Sequence, residues 1–309
     1  MPVALVAHGG AGSWRPGSEE DAVRGLAAAV RVGRDILRAG GSALDAVCAT
    51  VVALEDDPNY NAGTGGCLNY DGEVEFDASV MESRERRYGA VAALKRVKNP
   101  ILVARKVMEE TDHAMLAGEG ALRFARALGF GDHDPITPAR REDWEKKRAG
   151  LDGLLDPNSV LRTRRFLQAH PDYAGGTVGA AAVDAQGVFA AATSTGGVTL
   201  KLAGRVGDSP IAGAGNYASE HVAVSATGTG EFVMRALSAR AVSEAVARGA
   251  TVDEAVRDAL RDLRESFRAD LGIVAVGRDG TPVARHLTRD MPHAGFCGEG
   301  DVFARIRQA

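Results

Sequence analysis

Apolar positions recur along this chain with two different periods, and the changes of period mark its elements. Val3–Ala7 is a continuous apolar run, which predicts a short buried strand. It ends in His8-Gly9-Gly10-Ala11-Gly12, where glycine lets the backbone approach something closely. Val23, Leu26, Ala27, Val30, Ile36 and Leu37 then repeat at helical spacing. Ser18 stands as the cap of that helix, with Glu19, Glu20 and Asp21 in the first turn, where the helix dipole favours them. Gly40-Gly41 ends it. Ser42 opens a second helix reaching about Leu54, with Asp45 placed for a capping-box-like turn, so the two predict a helical hairpin. Cys67–Asn69 and Glu73–Val80 flank Asp71-Gly72, a hairpin signal. Gly89–Gly129 reads as further helix, broken at Asn99-Pro100.

The character changes from about Gly131 to Ala174, where prolines at 135, 138, 157 and 171 and a charged run, Arg140–Arg148, replace the periodicity. This predicts an exposed, partly disordered linker, a place suited to a chain break. From Thr177 the alternation becomes strand-like, turns at Asp184-Ala-Gln-Gly187 and returns over Val188–Thr193 as a hairpin. Val222–Thr227 predicts a strand, Phe232–Arg248 and Val252–Phe267 helices, and Leu271–Val276 with Pro282–His286 a last hairpin around Arg278-Asp-Gly-Thr. Strands joined by hairpins, in two groups each accompanied by helices, predict an α/β (α+β) chain. Its architecture would be a four-layer αββα sandwich of two mainly antiparallel sheets, built as one domain.

Composition narrows the function classes. A net charge of −4 over 309 residues, with no basic stripe interleaved with aromatics, argues against a nucleic-acid partner. Three scattered cysteines without a CxxC spacing fit a reducing compartment. The N-terminal apolar run is too short for a signal peptide, and no window approaches a membrane span, so a cytoplasmic protein with no membrane partner is expected.

Candidate chemistry is densest between Gly175 and Asn216, where Thr193, Ser194, Thr195, Arg205 and Asp208 sit among glycines. A strand that begins at Thr177, with no adjacent Cys or catalytic Ser motif, points to the threonine itself as the reactive group. Its hydroxyl needs a base, and the seven histidines lie far from it in sequence. If the Gly176–Thr177 bond breaks, the freed α-amine has an unperturbed pKa of about 7.7–8.0 and can take the proton of Oγ1 on the same residue. Gly176 would tolerate the strained backbone that an N→O acyl shift requires. The expected pieces are residues 1–176 and 177–309.

The same residues carry a resemblance. GGTVGAAAVDAQG, TSTGG, GRVGDSP, GAGNYA and ATGTGE occur in this order, together with HGGAG, LEDDPNYNAGTGG and KNP. Over nearly its whole length the chain resembles the plant-type L-asparaginase / isoaspartyl peptidase family of N-terminal nucleophile hydrolases. The resemblance implies autocleavage before Thr177, pairing of two cleaved protomers as (αβ)₂, and hydrolysis of L-asparagine and β-aspartyl dipeptides. By the same resemblance Thr195 would hydrogen-bond the nucleophile and Asn61 would steady its amine or hydroxyl. Thr227 and the Gly228 N–H would form the oxyanion hole. Arg205 offers a fork for the substrate α-carboxylate, and Asp208, assisted by the Gly230 carbonyl, would accept from the α-ammonium. A structural sodium ion, uninvolved in chemistry, would lie on the backbone carbonyls of Leu54, Glu55, Asp57, Tyr60, Ala62 and Thr64.

Departures from the family pattern are Val198, Leu200 and Ala203 after TSTGG and Gly175 where His often stands. Two other readings remain open at this point. One is a glycosylasparaginase of the same superfamily. The other is a non-enzymatic nucleotide or phosphate binder using the glycine loops, although no GxxxxGK[ST] occurs.

Overall fold

The computed structural model describes residues 1–12, 14, 17–149 and 176–308. The first half runs β1 (Ala4–His8), α1 (Glu19–Arg38), α2 (Ala43–Asp56), β2 (Phe76–Glu82), β3 (Tyr88–Leu94), α3 (Pro100–Glu110), β4 (Met115–Ala117), α4 (Gly118–Ala127) and α5 (Pro138–Ala149). The second runs β5 (Val178–Val183), β6 (Phe189–Thr195), β7 (Asn216–Ala218), β8 (Val222–Thr227), α6 (Gly230–Ala236), α7 (Ser238–Ala247), α8 (Val252–Phe267), β9 (Gly272–Gly277), β10 (Pro282–His286), β11 (His293–Cys297) and β12 (Phe303–Arg305).

Eight strands pair in the order β12-β11-β1-β5-β6-β2-β3-β4, and four in the order β10-β9-β8-β7. All pairings are antiparallel except β3 with β4. Strand alternation divides the interior in two. Leu5 and Ala7 of β1, with Val178, Ala180 and Ala182 of β5, pack into one core with α1, α2, α3 and α4. Ala4, Val6, Ala181 and Val183 point the other way, into a core shared with β8, β9, α7 and α8. Both faces of the central strands are therefore buried, which is why their sequence reads as unbroken apolar runs.

The ends of elements follow local chemistry. Ser42 Oγ accepts from Asp45 N at 3.1 Å and caps α2. The Asp184 turn closes with Asp184 N donating to Val188 O at 3.1 Å, and Gly187 supplies the left-handed residue (φ 75°).

Four expectations need correction. Tyr88–Leu94 is a strand, not the start of a helix; a seven-residue apolar run is ambiguous by period, and pairing with β2 decides it. The first helix of that stretch begins only at Pro100, which occupies its first turn, and β4, paired with β3, separates it from α4. The segment expected to be an exposed, partly disordered linker contains α5 over Pro138–Ala149, anchored by Trp144 Nε1 donating to Asn69 O at 2.8 Å; its residues 150–174 lie outside the described residues. Cys67–Asn69 is irregular rather than a strand, and leads into a turn that Asn69 N closes by donating to Glu73 O at 2.7 Å. Finally, Phe232–Arg248 is two helices, because Leu237 takes a left-handed conformation (φ 48°) between α6 and α7. The strands β11 and β12 were not expected at all. β11 hydrogen-bonds along the whole of β1, His293 facing His8.

Candidate active site

Thr177 immediately precedes β5 and is buried, 4% exposed. Strand alternation puts it on the face of Ala181, away from the helix-side core that holds Val178. Its Oγ1 donates to Thr195 Oγ1 at 3.2 Å, the last residue of β6. Thr195 Oγ1 also accepts from Gly197 N at 3.0 Å, which fixes its lone pairs toward the turn. Asn61 holds that turn from the other side: Nδ2 donates to Gly197 O at 2.6 Å, and its carbonyl accepts from Gly196 N at 3.0 Å. Asn61 Oδ1 accepts from Cys67 N at 2.7 Å. A Cβ on Gly196 would lie 2.6 Å from Asn61 Oδ1, so only glycine fits. Among the described residues Asn61 bonds the turn that carries Thr195, and not Thr177 itself.

The HGGAG stretch at the end of β1 runs beside the Gly176–Thr177 peptide. A Cβ on Gly10 (φ 109°) would collide with the Gly176 backbone, and one on Gly176 would meet Gly9 O at 3.1 Å. The same stretch reaches the end of β8, where Ala11 N donates to Thr227 Oγ1 at 3.2 Å. Ala11 accordingly ties the loop after β1, which runs beside Thr177, to Thr227. Gly228 (φ 143°) abuts Leu271, which a Cβ would strike.

His8 is the residue that sequence distance concealed. Its ring is wholly buried, with Nε2 2.9 Å from Ser225 Oγ, which lies 2.8 Å from Thr193 Oγ1. Burial drives its pKa down to about 3, against a weaker upward pull from the Thr177 backbone. The imidazole is therefore neutral at pH 7 and sits against the Thr177 main chain. Its position at the close of an apolar strand, just before the glycines, was the available signal.

Arg205 and Asp208 lie in the loop after β6, which Asp77 pins: its Oδ2 accepts from Gly207 N at 2.9 Å and its Oδ1 from Ala93 N at 3.0 Å. Arg205 does not pair with Asp208. Its Nε and one Nη each donate to Glu231, both at 2.9 Å, in a two-pronged bond with the start of α6. Burial would raise the Glu231 carboxyl, but the bonds to Arg205 and its charge hold it below the ordinary value. Asp208 is the opposite case. It is 4% exposed, its Oδ2 has no hydrogen-bond partner, and burial pushes its pKa up to about 7 despite the pull of Arg205. A Cβ on Gly230 would meet Asp208 Oδ1 at 2.7 Å and an Arg205 Nη at 3.1 Å, so glycine keeps the space between the two charged groups clear. Sequence reasoning had not assigned Glu231 a role, although it closes the ATGTGE motif.

The Leu54–Thr64 loop closes on itself: Thr64 N donates to Glu55 O at 2.8 Å and Tyr60 N to Asp57 O at 3.2 Å. Gly63 (φ 50°) turns it tightly, since a Cβ there would sit 2.5 Å from Glu55 O and 2.8 Å from Lys98 O. The Glu55 side chain is buried, and its Oε1 accepts from Ser194 Oγ at 2.7 Å and Ile101 N at 3.0 Å. Burial raises its pKa to about 8. A cleft of about 230 Å³ opens beside these groups, lined by Gly9, Asn61, Cys67 and Gly176 and, from α5, Arg140. Among the described residues no cluster of three His, Cys, Asp or Glu side chains is arranged to hold a metal, and no helix is long and apolar enough to cross a membrane.

Comparison with known proteins shows the family of the chain. The family model described as asparaginase matches residues 1–302. The chain is 43% identical to the plant-type L-asparaginase of Pyrococcus furiosus over 302 residues, 96% of this chain and 97% of that one. It is also 43% identical to the plant-type L-asparaginase of Thermococcus kodakarensis over 296 residues, 94% and 95% of the two chains. The isoaspartyl peptidase/L-asparaginase of Homo sapiens is 41% identical over 294 residues, 95% of this chain and 92% of the human one.

Proposed function

This chain belongs to the asparaginase family, and we propose that it hydrolyses the side-chain amide of L-asparagine and of β-aspartyl dipeptides, with Thr177 as nucleophile. The observation that carries the reading is the buried contact of Thr177 Oγ1 with Thr195 Oγ1, on the residue that directly follows Gly176.

The first reaction is the protein's own cleavage. Thr177 Oγ1 attacks the Gly176 carbonyl carbon, the C–N bond breaks as the ester C–O bond forms, and water then hydrolyses the ester. The products are a Gly176 carboxylate and a free Thr177 α-amine, on subunits of residues 1–176 and 177–309. The amine has an unperturbed pKa of about 7.7–8.0, so part of it is unprotonated at pH 7. It accepts the Oγ1 proton as Oγ1 attacks the substrate's side-chain amide carbon, and passes that proton to the departing ammonia or amino acid. Water, deprotonated by the same amine, then releases aspartate from the acyl-enzyme.

Thr227 and Gly228 would stabilise the oxyanion. Thr227 Oγ1 already accepts from Ala11 N, which leaves its own hydrogen to give. One such donor contributes about 3–4 kcal/mol in a comparable case. Arg205 would receive the α-carboxylate, competing with Glu231 for its fork. Asp208 would receive the α-ammonium, aided by the Gly230 carbonyl, and the orphaned Asp208 Oδ2 supports that role. Asn61 would act on the nucleophile through the turn it holds.

Several wider features belong to the same proposal. The two sheets with helices on their outer faces would form a four-layer αββα sandwich, supported by the division of the interior into two cores. The carbonyls of Leu54, Glu55, Asp57, Tyr60, Ala62 and Thr64 would hold a structural sodium ion. An oxygen-only set on a loop that closes on itself fits a hard cation. Cleaved protomers would pair as (αβ)₂ in the cytoplasm. Assay of asparagine, a β-aspartyl dipeptide and a glycosylasparagine side by side tests the reading. Release from the first two supports it, and activity on the last alone contradicts it.

A further inference from the structure

We propose that the cleft between Gly176 and α5 is a subsite for the α-carboxylate of the amino acid released from a β-aspartyl dipeptide, with Arg140 as its cation. The inference rests on the reaction proposed above. Asparagine and a β-aspartyl dipeptide present the same aspartyl half, and Arg205 and Asp208 serve that half. The two substrates differ beyond the scissile bond, where one carries ammonia and the other an amino acid with a free carboxylate. Neither Arg205 nor Asp208 lines the cleft; Gly176, Asn61 and Cys67 line it together with Thr137, which precedes α5, and Arg140 and Lys147 of α5.

Arg140 is the cation best placed to serve there. Lys147 faces Asp143 at 2.9 Å, one turn earlier on the same helix. Arg140 forms no ion pair among the described residues, and its Nε donates to Gly65 O at 2.6 Å, which steadies the half-buried side chain and leaves both Nη groups as donors. The helix beneath it is fastened to the loop that carries Asn61 and Cys67. Gly65 N donates to Pro135 O at 2.9 Å, Trp144 Nε1 to Asn69 O at 2.8 Å, and an Arg148 Nη to Tyr70 O at 2.8 Å. A guanidinium held in this way is preorganised for a carboxylate, which it can meet with two parallel hydrogen bonds.

The test compares one β-aspartyl dipeptide with its C-terminal amide, using fully cleaved protein, with asparagine as a third substrate. The wild type should favour the free acid by about tenfold or more in kcat/KM, the range expected for a charge-assisted bond. Arg140→Ala should bring acid and amide to parity, and Arg140→Lys should keep part of the preference. A wild type that cleaves asparagine yet treats acid and amide alike overturns the subsite and leaves the reaction standing. An acid preference that survives in Arg140→Ala overturns the role of Arg140. A protein that acts on none of the three substrates overturns the reaction, and the subsite with it.

Discussion

The two poles of the site are built on opposite principles. Around Thr177 every contact is between neutral groups: hydroxyls of Thr177 and Thr195, the amides of Asn61 and Gly197, and the neutral imidazole of His8. Around Arg205 three charged side chains crowd together, with one carboxylate paired at both oxygens and the other left with an orphan oxygen. On the proposed mechanism the neutral pole holds Thr177 as its nucleophile and would gain its base only when the Gly176–Thr177 bond breaks. The charged pole needs no such step. On the same proposal Asp208, with its unpartnered oxygen, would receive the substrate's ammonium, and Arg205, which holds Glu231, would exchange that carboxylate for the substrate's. Processing would therefore act on the chemistry, while recognition would need only the exchange of Glu231 for a substrate carboxylate on Arg205.

The largest effect expected from breaking this contrast is at the neutral pole. Thr177→Ala should leave the chain whole on a denaturing gel and reduce asparagine hydrolysis by about four orders of magnitude or more. Next comes Arg205→Ala, which leaves Glu231 and Asp208 without their shared cation. Cleavage should proceed, while steady-state kinetics should show KM for asparagine raised about a hundredfold or more. A failure to cleave would show that the poles are not separable. Thr195→Val removes one hydrogen-bond partner of the nucleophile, and about a tenfold loss in kcat with KM little changed is expected.

The smallest effect concerns stability. Asp208 has a folded pKa of about 7, raised above the unfolded value, so its favourable contribution is present below about pH 4 and is lost as pH rises through 7. Thermal melts of Asp208→Asn should match the wild type near pH 4 and exceed it by a few degrees at pH 8, even though the variant binds substrate poorly. Equal melting temperatures at both pH values would mean that Asp208 carries no strain.

How much of this was legible in the sequence follows the range of the interactions. The α1–α2 hairpin, the Thr177 hairpin and α8 were readable because caps, turns and periods are local, as the Thr251–Glu254 capping box of α8 illustrates. Thr177, Arg205 and Asp208 stand out as candidates because each sits in a short motif of unusual composition. Tyr88–Leu94 was misread because only its pairing with β2 distinguishes strand from helix. His8 and Glu231 were missed for a related reason: β-pairing and the turn into α6 bring them to partners that sequence spacing places far away. In α5 the charged run hid one residue, Trp144, whose docking turns an exposed-looking linker into a wall of the cleft.

The central claim is that one threonine supplies both the attacking oxygen and, once it heads its own chain, the base. The mass of the purified protein after incubation, read under denaturing conditions, tests this most directly. Two species corresponding to residues 1–176 and 177–309, appearing in step with asparaginase activity, are the predicted result. A single full-length mass in fully active protein would contradict it.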